Sequence, residues 1–374
     1  MAHRVVITGI GPFAPRAAEL FAASESTSLR VDESSSLRAF EAASLRVHEP
    51  SSQSQAPLRI RDDAMIHAAP QLRQMDRLAR IALVAAELAL ADAGLNVALL
   101  DPELIGIALG SGYGCLATNA DYLDGIRDRG ARRGNPIIFQ NTVSNAATGY
   151  ISLAKGIRGP NATMCSGWVA GLEALDFGVR QIADGRVQTM IVGGVDQLFP
   201  ALVDGLSGRL TQLSEGSCFL VLEELETARA RGVRIYAEVV AGSHTSGSGA
   251  AQEEALAEAI SIVLLESGHV AEDVDMIVSG RNGSATDSCE TRGLARALGP
   301  TQARVCAPKR ILGETMGSGG SFAVAVAALT LECGQLPATL QIASEYAAAR
   351  PELVLVPLLG NDGSAAATLL RRVR

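Results

Sequence analysis

Residues 215–225, EGSCFLVLEEL, and residues 362–372, DGSAAATLLRR, share an acidic residue, a Gly and a Ser followed by an apolar strand. They read as the closing hairpins of two similar units. Working outward, RIYAEVVAGS (234–243) resembles the opening run RVVITGIGP (4–12), and VDMIVSGRNG (274–283) resembles LIGIALGSG (104–112). Short continuous apolar runs ending in Gly are the pattern of strands covered on both faces. Between them, the segment from Met75 to Gly94 predicts a long helix closed by Gly, and GLEALDFGVRQIADG (171–185) predicts another ahead of the strand TMIVGGVD (189–196). Alternating strands and helices predict a layered α/β fold. The self-similarity predicts two halves, residues 1–230 and 231–374. A duplicated fold places its site on strand-end loops where the halves meet.

Composition narrows the function. The 374 residues are 48% hydrophobic and 19% charged, with a mean hydropathy of +0.21. That is too apolar for a disordered chain and long enough for one large domain or two fused halves. No run approaches the ~18–20 uninterrupted apolar residues of a membrane span, and the opening run reads as a buried strand, not a signal peptide. A net charge of −8 with no dense basic cluster argues against nucleic acid. RDRGARR (127–133) is the one strong local basic group and reads as a solvated loop. The six cysteines, Cys115, Cys165, Cys218, Cys289, Cys306 and Cys333, form no C-x-x-C pair for a metal and read as reduced, buried thiols of a cytoplasmic protein. SLR recurs at Ser28, Ser36 and Ser44 inside the Ser-rich stretch 24–57, which reads as a surface loop or hairpin.

The anchors RVVITGIGPFAP, QMDRLARIALVAAELALADAGL, GPNATMCSGWVAGLEAL, MIVGGVD, LVLEELETARARGVRIYAEVV and CGQLPATL resemble, in order and spacing, the β-ketoacyl synthases of thiolase fold over nearly the whole chain. The resemblance implies a duplicated α-β-α-β-α fold with two mixed five-stranded sheets, no cofactor and no metal. The chemistry of such a synthase needs a cysteine thiolate to carry the acyl chain and two histidines to stabilise developing negative charge. The family's first motif, G-P-N-x-T-x-S-T-A-C-A-S-G, aligns without a gap on GPNATMCSGWVAG (159–171) and puts Trp168 at the nucleophile position. Cys165 falls three residues early. It reads as a buried structural thiol, with a displaced nucleophile as the alternative. The second motif, read back from Glu290 and Thr291 through VSGRNGSATDSCET, puts Ser279 at the first histidine. The third, KRILGETMGSGG (309–320), keeps Lys309 and puts Glu314 at the second. Neither side chain donates as an imidazole does. In the C-terminal gate loop, Gly360-Asn361-Asp362-Gly363 has Asn361 where the family has its gating Phe.

This pattern looks like the chain-length factor, the non-catalytic ketosynthase β subunit of bacterial type II polyketide synthases. Trp168 departs from the Gln usual in aromatic-polyketide factors and leans toward a reducing or aryl-polyene branch. The resemblance implies a heterodimer with an intact ketosynthase, and an acyl carrier protein that docks mainly on that partner. It also implies that GSGYGCLATNADYLDG (110–125) lines the acyl tunnel, with Tyr113, Leu116, Ala120 and Tyr122 at its floor. PIIFQNTVSN (136–145) would reach across the dimer, with Phe139, Gln140 and Asn141 at that interface. Two other readings stay open. One is a self-sufficient acyltransferase rebuilt around Cys165, with Glu314 beside it; the other is an acyl-chain or carrier-protein scaffold.

Overall fold

The structure is a computed structural model; it describes residues 3–21, 57–62, 65, 74–210, 212–247, 251–336, 340 and 350–374. The SLR repeats lie outside the described residues.

Among the described residues ten strands follow the chain: β1 (Val5–Phe13), β2 (Ile105–Gly110), β3 (Asn161–Met164), β4 (Thr189–Asp196), β5 (Gly216–Glu224), β6 (Ala237–Ser246), β7 (Met276–Val278), β8 (Arg304–Cys306), β9 (Leu353–Leu359) and β10 (Ser364–Arg371). The helices of ten or more residues among the described residues are α1 (Arg77–Asp92), α2 (Leu116–Arg129), α3 (Ala146–Lys155), α4 (Ala170–Ala183), α5 (Gln252–Ser267), α6 (Thr286–Leu298) and α7 (Gly319–Cys333). Helix α1 starts where Asp76 caps it, Oδ1 accepting the Ala79 N–H at 2.9 Å.

Spatial order is β3-β2-β4-β5-β1 followed by β6-β10-β9-β7-β8. The second half repeats the first in mirror order. In each, the second strand runs parallel to the third and fourth, and the fifth runs antiparallel to the fourth and first. The three pairs of similar sequence fall on equivalent strands: β1 with β6, β2 with β7, β5 with β10. Only β10 closes a hairpin, with β9; β5 returns to β4 after an intervening helix, Pro200–Leu206. The expected pair of separate sheets is corrected. Val5, Val6 and Ile7 of β1 pair with Val239, Glu238 and Ala237 of β6, which joins both halves into one ten-stranded ladder. Without that seam, each half would leave an edge of unpaired backbone groups.

The five layers remain. Helices α4 and α7 pack on each other and on strands of both halves, α1 covers the outside of the first half, and α5 the outside of the second. The period-2 alternation of strand side chains sorts them between layers. From β5, Cys218, Leu220 and Leu222 face the central core, and Phe219 and Val221 the outer one. From β9, Val354, Val356 and Leu358 face inward, Leu353 and Leu355 outward. The stretch Met316–Cys333 is long and apolar enough to cross a membrane, but 83% of it is buried inside the protein as the central helix.

Candidate functional site

The loops after β2, β4 and β7 and the N-termini of α4 and α7 converge where the halves meet. Asp196, the last residue of β4, fixes this junction. Its Oδ1 accepts hydrogen bonds from Ser111 Oγ (2.8 Å) and the Tyr113 N–H (3.0 Å). Its Oδ2 accepts the Gly112 N–H (2.8 Å) and the Gly317 N–H (2.7 Å). One carboxylate thus ties the loop after β2 to the loop before α7. Burial pushes Asp196 up to about 6 against those four donors. Gly317 is required by close approach, since a Cβ there would collide with the Gly112 backbone nitrogen.

Trp168 sits in the single turn Gly167–Val169 that leads into α4, and it is 2% exposed. It packs with Leu198, Leu202, Leu206, Leu213 and Met316, with Tyr113 at the margin. The Lys309 ammonium lies 5.3 Å from the ring centroid. The indole N–H has an electrostatic interaction with the Tyr113 hydroxyl but no hydrogen bond of normal geometry. Burial raises the Tyr113 pKa, with Trp168 and Asn361 pulling the other way.

Behind the indole lies a buried polar cluster. Lys309 Nζ donates to Glu314 Oε1 (2.9 Å) and Oε2 (2.8 Å). Asn282 Nδ2 donates to Oε2 (2.5 Å), and the Met316 N–H to Oε1 (2.7 Å). Ser279 donates its hydroxyl hydrogen to Glu290, and Arg281 lies 3.6 Å from the same carboxylate. Burial pushes Glu290 up to about 7, with Ser279, Arg281 and Lys309 opposing the rise and Asp287 adding to it. The structure therefore brings Trp168 and Glu314 into one constellation through Lys309, with Ser279 held on the neighbouring Glu290.

The turn Gly360–Gly363 belongs to the same locality. Gly360 N–H donates to Ser364 O at 2.7 Å, and Gly363 takes φ +89°. The Asp362 carboxylate lies against Gly167, where a Cβ would come within 2.6 Å of it. Asn361 and Asp362 are exposed.

The remaining predicted residues lie elsewhere. Leu116, Ala120, Phe139 and Gln140 are exposed, and Tyr122 is half-buried with its ring centroid 5.5 Å from that of Phe139. Asn141 is buried and pinned, its Nδ2 donating to the carbonyls of Gln74 (2.8 Å) and Ile137 (3.1 Å). Cys165 is a correction. It is exposed, not buried, because it follows β3, the short edge strand, and none of the described residues covers it. Cys115, Cys218 and Cys306 are the buried thiols. The sequence reading gave no role to Asp196, Asn282 or Met316. The signal for Asp196 was an acidic residue closing a Gly-Gly strand at the predicted junction.

A duplicated five-layer sheet with a polar cluster at the N-termini of its two central helices defines a thiolase-like protein. Residues 2–215 match the beta-ketoacyl synthase N-terminal domain and residues 232–343 the C-terminal domain. The chain belongs to the beta-ketoacyl synthase family. It is 27% identical to the tetracenomycin polyketide synthase ketoacyl synthase alpha subunit of Streptomyces glaucescens, over 90% of this chain and 86% of that one. It is 29% identical to 3-oxoacyl-[acyl-carrier-protein] synthase 2 of Vibrio cholerae over 72% of this chain and 73% of that one. Among solved structures it shares its fold with the ishigamide ketosynthase/chain length factor, at a TM-score of 0.80 and 21% identity, with both chains wholly covered. A type II ketosynthase bound to its acyl-carrier protein gives a TM-score of 0.78 at 18% identity, again with full coverage.

Proposed function

We propose that this chain is the non-catalytic subunit of a ketosynthase heterodimer, a chain-length factor that pairs with an intact ketosynthase and shapes the tunnel for the growing carrier-bound acyl chain. The observation that carries the reading is the buried Trp168 indole, packed among leucines at the position the family motif reserves for its cysteine. An indole has no nucleophilic atom for an acyl group. Ser279 and Glu314 stand at the histidine positions, and both are bound into the buried cluster.

A second feature supports assembly. Of ten exposed large hydrophobic side chains among the described residues, six lie between positions 116 and 153: Leu116, Leu123, Ile137, Phe139, Val143 and Leu153. Beside them runs β3, an edge strand with an open backbone ladder. An apolar patch next to an unpaired edge suits a large, permanent interface. The solved ketosynthase/chain length factor of the same fold agrees with this reading. The carrier protein would dock mainly on the partner, since a chain of net charge −8 repels an acidic carrier.

The exposure of Cys165 favours one competing reading, a site rebuilt around that thiol. Co-expression with an intact ketosynthase and carrier protein decides between them, by product mass from the pair, the partner alone and this chain alone. Elongated products only from the pair, unaffected by Cys165→Ala, support the chain-length factor. Products from this chain alone that vanish in Cys165→Ala refute it.

A further inference from the structure

Trp168 is the only tryptophan in the chain, and beyond a weak interaction with the Tyr113 hydroxyl no hydrogen bond of normal geometry orients its ring. Other contacts must hold it. On one side is the Lys309 ammonium, over the ring at 5.3 Å. In the apolar cluster around it is Met316, whose φ of +54° is a conformation that a residue with a side chain seldom adopts. Both neighbours are fixed by one carboxylate. Glu314 takes both Lys309 contacts on its two oxygens and accepts the Met316 N–H, while Asn282 fills a remaining lone-pair site. With four contacts from three donors, Glu314 has little freedom to turn. The ammonium it fixes cannot swing off the ring without leaving its counter-ion in a buried site.

We propose that Lys309, oriented by Glu314, clamps Trp168 as an internal stopper that shuts this subunit's own acyl site. The inference rests on the reading that this subunit does not carry the acyl chain, and it assigns the closure to a particular charge pair. Lys309 and Glu314 are positioning residues, acting through the indole. The glutamate that stands in place of a histidine thereby has a use: it converts a lysine kept from the family pattern into a ring clamp.

The lone tryptophan makes the test direct. Fluorescence excited at the indole edge reports Trp168 alone in the full-length chain, and acrylamide quenching reads its access to solvent. Low quenching is expected in the native chain and in Lys309→Arg, which keeps a cation over the ring. At least a threefold rise in the quenching constant is expected in Lys309→Met and in Glu314→Gln. A rise below threefold in Glu314→Gln overturns the proposal, as does Lys309→Arg behaving like Lys309→Met. High quenching in the native chain overturns it too. Should Lys309→Met fail to fold, Glu314→Gln and Lys309→Arg decide. This readout needs no partner and no product, so the clamp can fail while the heterodimer reading stands; products from this chain alone would remove the stopper's role while leaving the quenching result for the clamp unchanged.

Discussion

Truncating Trp168 to alanine perturbs the junction at its largest fully buried side chain. The indole makes no hydrogen bond of normal geometry, so the loss is chiefly packing and transfer free energy, with the Lys309 contact and the weaker interaction with Tyr113 added. Buried Trp→Ala changes cost about 3–5 kcal/mol, the upper end applying where the surroundings do not collapse. Collapse is hindered here, because Leu198, Leu202 and Leu206 sit on or beside a short helix while Met316 is tied to Glu314. With an unfolding entropy of about 2.1 cal/mol/K per residue, a chain of this length changes by about 0.8 kcal/mol per degree. The expected fall in Tm is therefore about 4–6 °C. Thermal unfolding followed by far-UV circular dichroism measures it. Millimolar indole should recover part of the loss by refilling the vacated space, as apolar cavities take up small aromatics. Trp168→Phe should cost clearly less. A fall below 1 °C in Trp168→Ala, or an equal fall in Trp168→Phe, refutes the view that the ring fills this space.

Three other outcomes follow from the same junction and its surface. Asp196→Asn leaves at least two of the four donors around that side chain without an acceptor, whichever way the amide turns; a cost of about 2–5 kcal/mol is expected in denaturant unfolding, and a cost under 1 kcal/mol would contradict the lock. Glu290 has a folded pKa raised by burial from 4.5 to about 7, so between those values the folded state binds the extra proton and stability falls as pH rises, by about 3 kcal/mol at most. Glu290→Gln should flatten that slope between pH 5 and 7, and an unchanged slope would show that the carboxyl does not titrate there. Leu116→Glu combined with Phe139→Glu should abolish co-elution with the ketosynthase while leaving Tm within about 1 °C, because both side chains are exposed in the single chain; retained co-elution would move the interface elsewhere.

Strands and helices were readable because burial on both faces forces a run of apolar residues that turn chemistry then closes. TMIVGGVD occupies β4 residue for residue, and the helix expected from Met75 to Gly94 runs from Arg77 to Asp92 behind its Asp76 cap. The seam between β1 and β6 was not readable, since backbone pairing between Val5 and Val239 leaves no mark on side-chain type. Cys165 was misplaced because MCSGW looks like interior sequence. Only the short length of β3 and its position at the sheet edge explain why it is exposed among the described residues. The pairing of Lys309 with Glu314 was also hidden. Gly313, at φ +80°, breaks the helical period between them, so their five-residue spacing predicts no contact until the loop is folded.

The junction separates two demands that a catalytic ketosynthase has to meet together. Asp196, Gly112 and Gly317 serve the architecture: they bind the loops of both halves and position the N-termini of α4 and α7. By the resemblance of the motifs, Trp168, Ser279 and Glu314 fall at the positions that serve chemistry in the family; in this chain they pack among leucines, bond to Glu290 and pair with Lys309, respectively. A buried ion pair contributes little net stability against an apolar replacement, while removing one partner costs several kcal/mol. Net stability therefore does not by itself account for Lys309 and Glu314, and the pair is best explained by what it holds in place. On the proposed reading, a subunit that keeps its frame and fills its own site still presents the exposed apolar side chains around Leu123 and Phe139. On that reading, the use left to such a frame is to shape a neighbour.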